Sequence, residues 1–188
     1  MSELKCTHCH NPHVRGADAG TADRKEHLDA CVARHDDLQS QDAVTAHSHP
    51  DPGQVSCLDC HMPRIVQGAD VYNRTHRISS PTDPKILLTG MPNACNLCHL
   101  DKSLAWTRDS LESGWGKRTE LPRGLERLYG REFGRPVGDA WLAHPDGTIR
   151  VVAAAAYARS SHGKEKLPQL ISFLNDPNAY YRRRSLQS

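Results

Sequence analysis

Three short strings in this chain place two thiols and an imidazole at one fixed spacing. They are Cys6, Cys9 and His10; Cys57, Cys60 and His61; and Cys95, Cys98 and His99. Cysteines three residues apart share one face of a helical turn, and the histidine after the second falls on that face too. Two thiols so placed can add to the two vinyl groups of a haem while the imidazole ligates its iron, which is the chemistry of the C-x-x-C-H signature of c-type attachment. Seven cysteines and twelve histidines in 188 residues give roughly 0.02 such strings by chance, and three occur. Zinc would need two Cys pairs converging on one tetrahedral site. A redox dithiol would show one C-x-x-C beside a βαβ pattern. A disulfide framework leaves the three histidines unexplained.

The seventh cysteine sits in "CVARH". Cys31 and His35 match the signature, and Arg34 occupies the place of the second thiol. This predicts a fourth site, with a single thioether from Cys31, His35 on the iron and Arg34 near a haem propionate. The alternatives are a site that has lost its haem and a coincidental match. Eight further histidines are available as second axial ligands. His13 follows the first motif, His47 and His49 lie in "AHSHP", and His76 lies in "NRTHRISSP". Pro12, Pro50 and Pro81 restrict the backbone beside them. Each of the four fits a solvated surface histidine equally well. Two imidazoles on one iron make a low-spin centre suited to electron transfer, with a potential set by the axial ligands. His8 lies between two attachment thiols and is expected to be peripheral, and His144 and His162 read as surface residues. Met91 is a weaker candidate, and Met62 is too close to His61 to reach back over the same iron.

The elements that hold these residues differ between the two ends of the chain. Only eight of the first sixty residues are Leu, Ile, Val or Phe, a density that ordinarily leaves a segment unfolded. Such a segment folds if a cofactor supplies the bulk and the cross-links. After Leu100 the pattern becomes helical. "DKSLAWTRDSLESGW" predicts a helix capped by Asp101, with Leu104, Thr107, Leu111 and Trp115 in one stripe beside the third motif. Beyond about residue 136 an internal repeat emerges, in which Pro145, Ile149 and Arg150 recur as Pro177, Tyr181 and Arg182. Between them Leu167, Leu170, Ile171 and Leu174 follow helical spacing, and the pattern is that of an α-solenoid. Arg182, Arg183 and Arg184 read as a solvated helix face. The expected fold class is mainly α with much irregular loop. A multihaem cytochrome c domain organised around its haems spans 1–116, a helical linker 117–143, and a HEAT-like helical hairpin repeat, expected to be truncated, 144–188.

The net charge of +2 implies no pull toward nucleic acid or an anionic membrane. No apolar run is long enough for a spanning helix. Residues 1–5 lack the apolar core of a signal peptide. Haem c is attached after export, so an export signal is expected upstream of Met1, with a periplasmic or extracellular destination.

"VSCLDCHMPR", "NRTHRISSP" and "GMPNACNLCHLDKSLAW", with "LKCTHCHNPH" and "AHSHP" before them, resemble a family of exported bacterial multihaem cytochromes. That family has doubled CXXCH motifs, is related to the tetrahaem cytochrome of nitrifying bacteria, and often ends in HEAT or tetratricopeptide repeats. The resemblance covers roughly residues 3 to 116, and the remainder only as a repeat type. It implies that residues 31–35 correspond to a full attachment motif, from which this chain departs at Arg34. It implies that His76 is an axial ligand, that one of His47 and His49 is another, and that further motifs lie upstream.

Three to four closely packed haems, mostly bis-His ligated, make electron transfer the leading expectation. Redox proteins, other multihaem cytochromes among them, are the expected partners. One alternative is an oxidoreductase with an open haem, acting on a small nitrogen or sulfur species. Another is a haem-bearing subunit of a larger complex, a homo- or hetero-oligomer or a cytochrome polymer.

Overall fold

The computed structural model describes residues 5–8, 24–48, 55–67 and 71–185. Contacts divide the chain into two units, Met1–Cys57 and Leu58–Ser188. In the first, a 3-10 turn at Cys6–His8 precedes helix α1 (Arg24–Val32), and a second, Asp36–Leu38, leads into α2 (Gln41–Ser48). No side chain described between residues 27 and 48 is buried. The described part of this segment therefore builds no core of its own, as its composition implies.

Helix α3 (Cys57–His61) crosses the boundary into the second unit. There β1 (Arg64–Gln67) and β2 (Val71–Arg74) pair antiparallel, with Arg64 opposite Arg74 and Val66 opposite Tyr72. This hairpin is the only sheet among the described residues, and the chain is mainly helical. Helix α4 (Pro84–Leu88) starts with proline in its first turn, where no amide donor is needed, and Asp83 Oδ1 accepts from Lys85 N at 3.0 Å. Helix α5 (Ala94–Cys98) carries the third thiol pair.

Helix α6 (Leu104–Trp115) is capped by Ser103, whose hydroxyl accepts from Trp106 N at 3.1 Å, and not by Asp101 as expected from the sequence. Asp101 lies two residues too early to reach the first turn and pairs with Lys102 at 2.9 Å. Leu104, Thr107 and Leu111 are buried as the stripe predicts, while Trp115 is exposed. Gly116 closes the helix at φ 64°, a left-handed conformation that glycine adopts without Cβ strain.

The stretch 117–143, read as a linker, forms much of the core. Helices α7 (Glu126–Tyr129) and α8 (Val137–Leu142) contribute Tyr129, Val137, Ala140, Trp141 and Leu142. Trp141 Nε1 donates to the Tyr129 hydroxyl at 2.9 Å, and that hydroxyl donates to Gly90 O. These bonds satisfy two polar groups inside an otherwise apolar cluster.

Helix α9 (Gly147–Ala158) is buried along nearly its whole length. Helices α10 (Gly163–Ser172) and α11 (Ala179–Ser185) follow it. The internal repeat is visible as hydrogen bonds. Arg150 Nη1 donates to the carbonyls of His144 and Pro145 at 2.7 and 2.9 Å, and Arg182 Nη1 to those of Asp176 and Pro177 at 2.6 and 3.1 Å. Asp146 caps Thr148 N as Asn178 caps Tyr180 N. Arg150 Nη2 reaches Asp176 Oδ2 at 2.7 Å and joins the two turns. Arg182 thus folds back on its own turn, while Arg183 is exposed. On α10 only Leu170 of the expected apolar stripe packs against the core. Leu167, Ile171 and the following Leu174 are exposed.

Candidate haem-attachment site

Of the residues expected to bind haem, Cys9, His10, His13 and His49 lie outside the described residues. Cys6 is exposed in its 3-10 turn. The six described cysteines, Cys6, Cys31, Cys57, Cys60, Cys95 and Cys98, carry no disulfides. No group of three or more His, Cys, Asp or Glu side chains converges among the described residues. The pairs Cys57–Cys60 and Cys95–Cys98 lie on separate helices.

The third motif is the most fully defined. Cys95 and Cys98 lie on one turn of α5, and His99 leaves the helix at φ −100°, ψ 62°, with its N–H donating to Cys95 O at 3.0 Å. Cys98 and His99 are exposed, and Cys95 is half-buried. Burial pushes the Cys95 thiol above its usual pKa, with Cys98 adding to the effect. Burial also raises Cys98, followed by the Asp59 charge, against the pull of Arg159 and Arg74. The His99 ring lies against Trp106 of α6, with centroids 4.9 Å apart and planes tilted by 52°.

The second motif is clasped by the hairpin. Arg74, at the end of β2, donates to Leu58 O at 2.8 Å and to Met62 O at 3.3 Å, and pairs with Asp59 at 2.5 Å. The cation thus spans α3 and the residue after it, sharing Leu58 O with Met62 N, which donates to it at 3.0 Å. His61 Nδ1 lies 2.9 Å from Ser79 O, and Ser79 N donates to His61 O at 3.0 Å. A carbonyl partner places the ring proton on Nδ1 and the lone pair on Nε2, the tautomer of an iron-ligating imidazole. His76 lies in the same clasped segment and is exposed, and His47 is exposed on α2.

The degenerate string at Cys31 folds like the complete one. His35 N donates to Cys31 O at 3.1 Å, and His35 takes φ −116°, ψ 81°, close to the values at His99. Arg34 is exposed, and its Nη1 donates to Ala30 O at 3.3 Å. The helical thiols, the oriented His61 ring and the common exit of His35 and His99 all suit covalent haem.

Sequence reasoning passed over Arg74, Ser79, Asn93 and Asn96. Asn93 three residues before Asn96 was a readable cap pair. The roles of Arg74 and Ser79 depend on a chain reversal with no local signal.

Thiol pairs on single turns, each with an adjoining imidazole, define a c-type cytochrome. Residues 27–126, just over half of the 188, match the family model of cytochrome c552, and the chain belongs to that family. The match takes in the strings at 31–35, 57–61 and 95–99. Proteins of this family hold haem c covalently, serve haem-based electron transfer and are typically exported. No helix among the described residues is long and apolar enough to cross a membrane. No match is found among curated proteins or among solved structures.

Proposed function

We propose that the chain relays electrons through three to four covalently held haems, mostly with two axial histidines. The observation that carries this reading is the match of residues 27–126 to the cytochrome c552 family, over three strings that set a cysteine and a histidine at one spacing. Covalently held haems exchange electrons without a substrate pocket.

When bound, haem c supplies an iron that cycles between ferric and ferrous states with a potential set by its axial ligands. Cys57 with Cys60, and Cys95 with Cys98, would anchor two such groups, and His61 and His99 would ligate them. Cys6, Cys9 and His10 would hold a third. Cys31 and His35 would hold a fourth through one thioether, supported by the backbone they share with Cys95 and His99. His13, His47, His49 and His76 are the pool for the opposite axial positions. The partners are redox proteins, other multihaem cytochromes among them, in the periplasm or at the cell surface, where the chain works alone or in an oligomer. The C-terminal turns, tied by Arg150 and Asp176, form a HEAT-like repeat that stiffens one end.

The test is the intact mass of the denatured holoprotein, because thioether-linked haem survives denaturation. Four haems are expected, falling to three in Cys31→Ala. Three in the unaltered chain would remove the single-thioether site, and none would overturn the reading. A wholly low-spin optical spectrum is expected, and a high-spin component would favour an open, substrate-binding haem.

A further inference from the structure

The residue between the thiols of the third motif has no duty in attachment chemistry, yet it is the most enclosed polar group near the site. Asn96 is 0 % exposed, Thr107 0 % and Asn93 4 %. Asn96 Oδ1 accepts from Asn93 Nδ2 at 2.9 Å and from Thr107 Oγ1 at 2.6 Å. Asn93 Oδ1 accepts from Asn96 N at 2.9 Å, and Asn96 Nδ2 donates to His99 O at 3.3 Å. Core packing alone does not call for this arrangement. An apolar side chain at 96 would be buried without the desolvation cost of an amide. What the amide adds is a fixed link from the interior of α6 to the backbone of the axial histidine.

That link matters because the ring of His99 is held differently from that of His61. His61 has a carbonyl on Nδ1, whereas the His99 ring nitrogens have no hydrogen-bond partner among the described residues. The position of the His99 ring therefore depends on its backbone and on Trp106. We propose that Asn96, braced by Asn93 and Thr107, is a positioning residue for the axial imidazole of His99 and thereby sets the potential of the haem on Cys95 and Cys98. This rests on the attachment reading above.

The test compares Asn96→Ala, Thr107→Val and Thr107→Ser as holoproteins. Haem on the Cys95–Cys98 peptide is first established by mass, and its absence from the unaltered chain would defeat the attachment reading and this proposal with it. Each haem is then titrated and its low-spin electron-paramagnetic signal recorded. Asn96→Ala is expected to shift one potential and one signal, leaving the others in place. A tenfold change in the relative affinity of the imidazole for the two iron states reads as about 59 mV. Thr107→Val shifts the same haem less and in the same direction, and Thr107→Ser restores it. If Asn96→Ala does not fold, Thr107→Val decides alone. Lower melting temperatures with every potential and signal unmoved would overturn the proposal and leave the network a packing device.

Discussion

Asp176 is the hinge of the C-terminal repeat, and removing its carboxylate has a calculable consequence. The side chain is 7 % exposed and accepts from Arg150 Nη2 at 2.7 Å and from Asn178 N at 2.9 Å. Asp176→Ala leaves the Arg150 guanidinium, itself 20 % exposed, facing no anion. Its bonds to the His144 and Pro145 carbonyls survive, so the cost falls at the low end of the about 3–5 kcal/mol for breaking a buried pair. In a chain of this size about 3 kcal/mol lowers Tm by about 6–12 °C. Asp176→Asn keeps an acceptor for Asn178 N and should cost about 1 kcal/mol. The effect also has a pH signature. Burial alone would raise the Asp176 pKa, but the Asn178 amide and the Arg150 guanidinium outweigh it and hold the carboxyl below its ordinary 3.8. A depressed folded-state pKa stabilises above the unfolded value, and that stability is lost as pH falls through the folded value. The gap in Tm between the unaltered chain and Asp176→Ala should therefore be full at neutral pH and close below about pH 4. Thermal unfolding of the holoprotein across pH measures it, with Arg150→Met completing a double-mutant cycle. Losses that add, or a gap that persists in acid, would refute the ion-pair account.

Gly138 N donates to Leu100 O at 2.9 Å, and a methyl at Gly138 would strike the Tyr157 hydroxyl and stand 2.9 Å from that same oxygen. Gly138→Ala should cost about 1–3 kcal/mol by overpacking, read by urea unfolding. Ser103→Ala removes the cap of α6 and should cost about 1 kcal/mol, with Asp101→Ala close to neutral. Replacing all seven cysteines by alanine should leave a cooperative melt from the second unit while the circular dichroism of α1 and α2 is lost. A complete loss of cooperativity would show that the second unit also needs attachment to fold.

Features carried by spacing were legible before any coordinates. The strings at 57–61 and 95–99, the stripe Leu104–Thr107–Leu111 and the 32-residue recurrence of Arg150 as Arg182 all rest on fixed spacing, and each lies on a helix. The cap of α6 was misassigned because Asp101 and Ser103 are both good capping residues two positions apart, and only the first helical turn decides between them. Tyr129, Phe133, Val137 and Trp141 recur every four residues, but Gly130, Gly134, Pro136 and Gly138 break the run into short helices, so the buried stretch does not read as one element. The clasp of Arg74 on α3 and the amide link from Asn96 to His99 join residues through chain reversal and helix packing, which a single sequence does not display.

The two units solve the problem of holding a histidine in opposite ways. Helices α1 and α2 are nine and eight residues long, below the length at which isolated helices persist in water. No described side chain on them beyond residue 26 is buried. Helices of this length draw their stability from packing or from a bound group, and in the second case binding is itself folding free energy. In the second unit Leu87, Leu100, Leu104, Tyr129 and Trp141 form an apolar core, and α5 is tied to α6 through Asn96 and Thr107. Carbonyls of Leu100 and Lys102, just past His99, accept from Gly138 and Val137 at 2.9 Å each. The backbone just past His99 is thus fixed by hydrogen bonds from α8. The turn carrying Cys95 and Cys98 is therefore built into the helical core, whereas no side chain of residues 31–35 is buried.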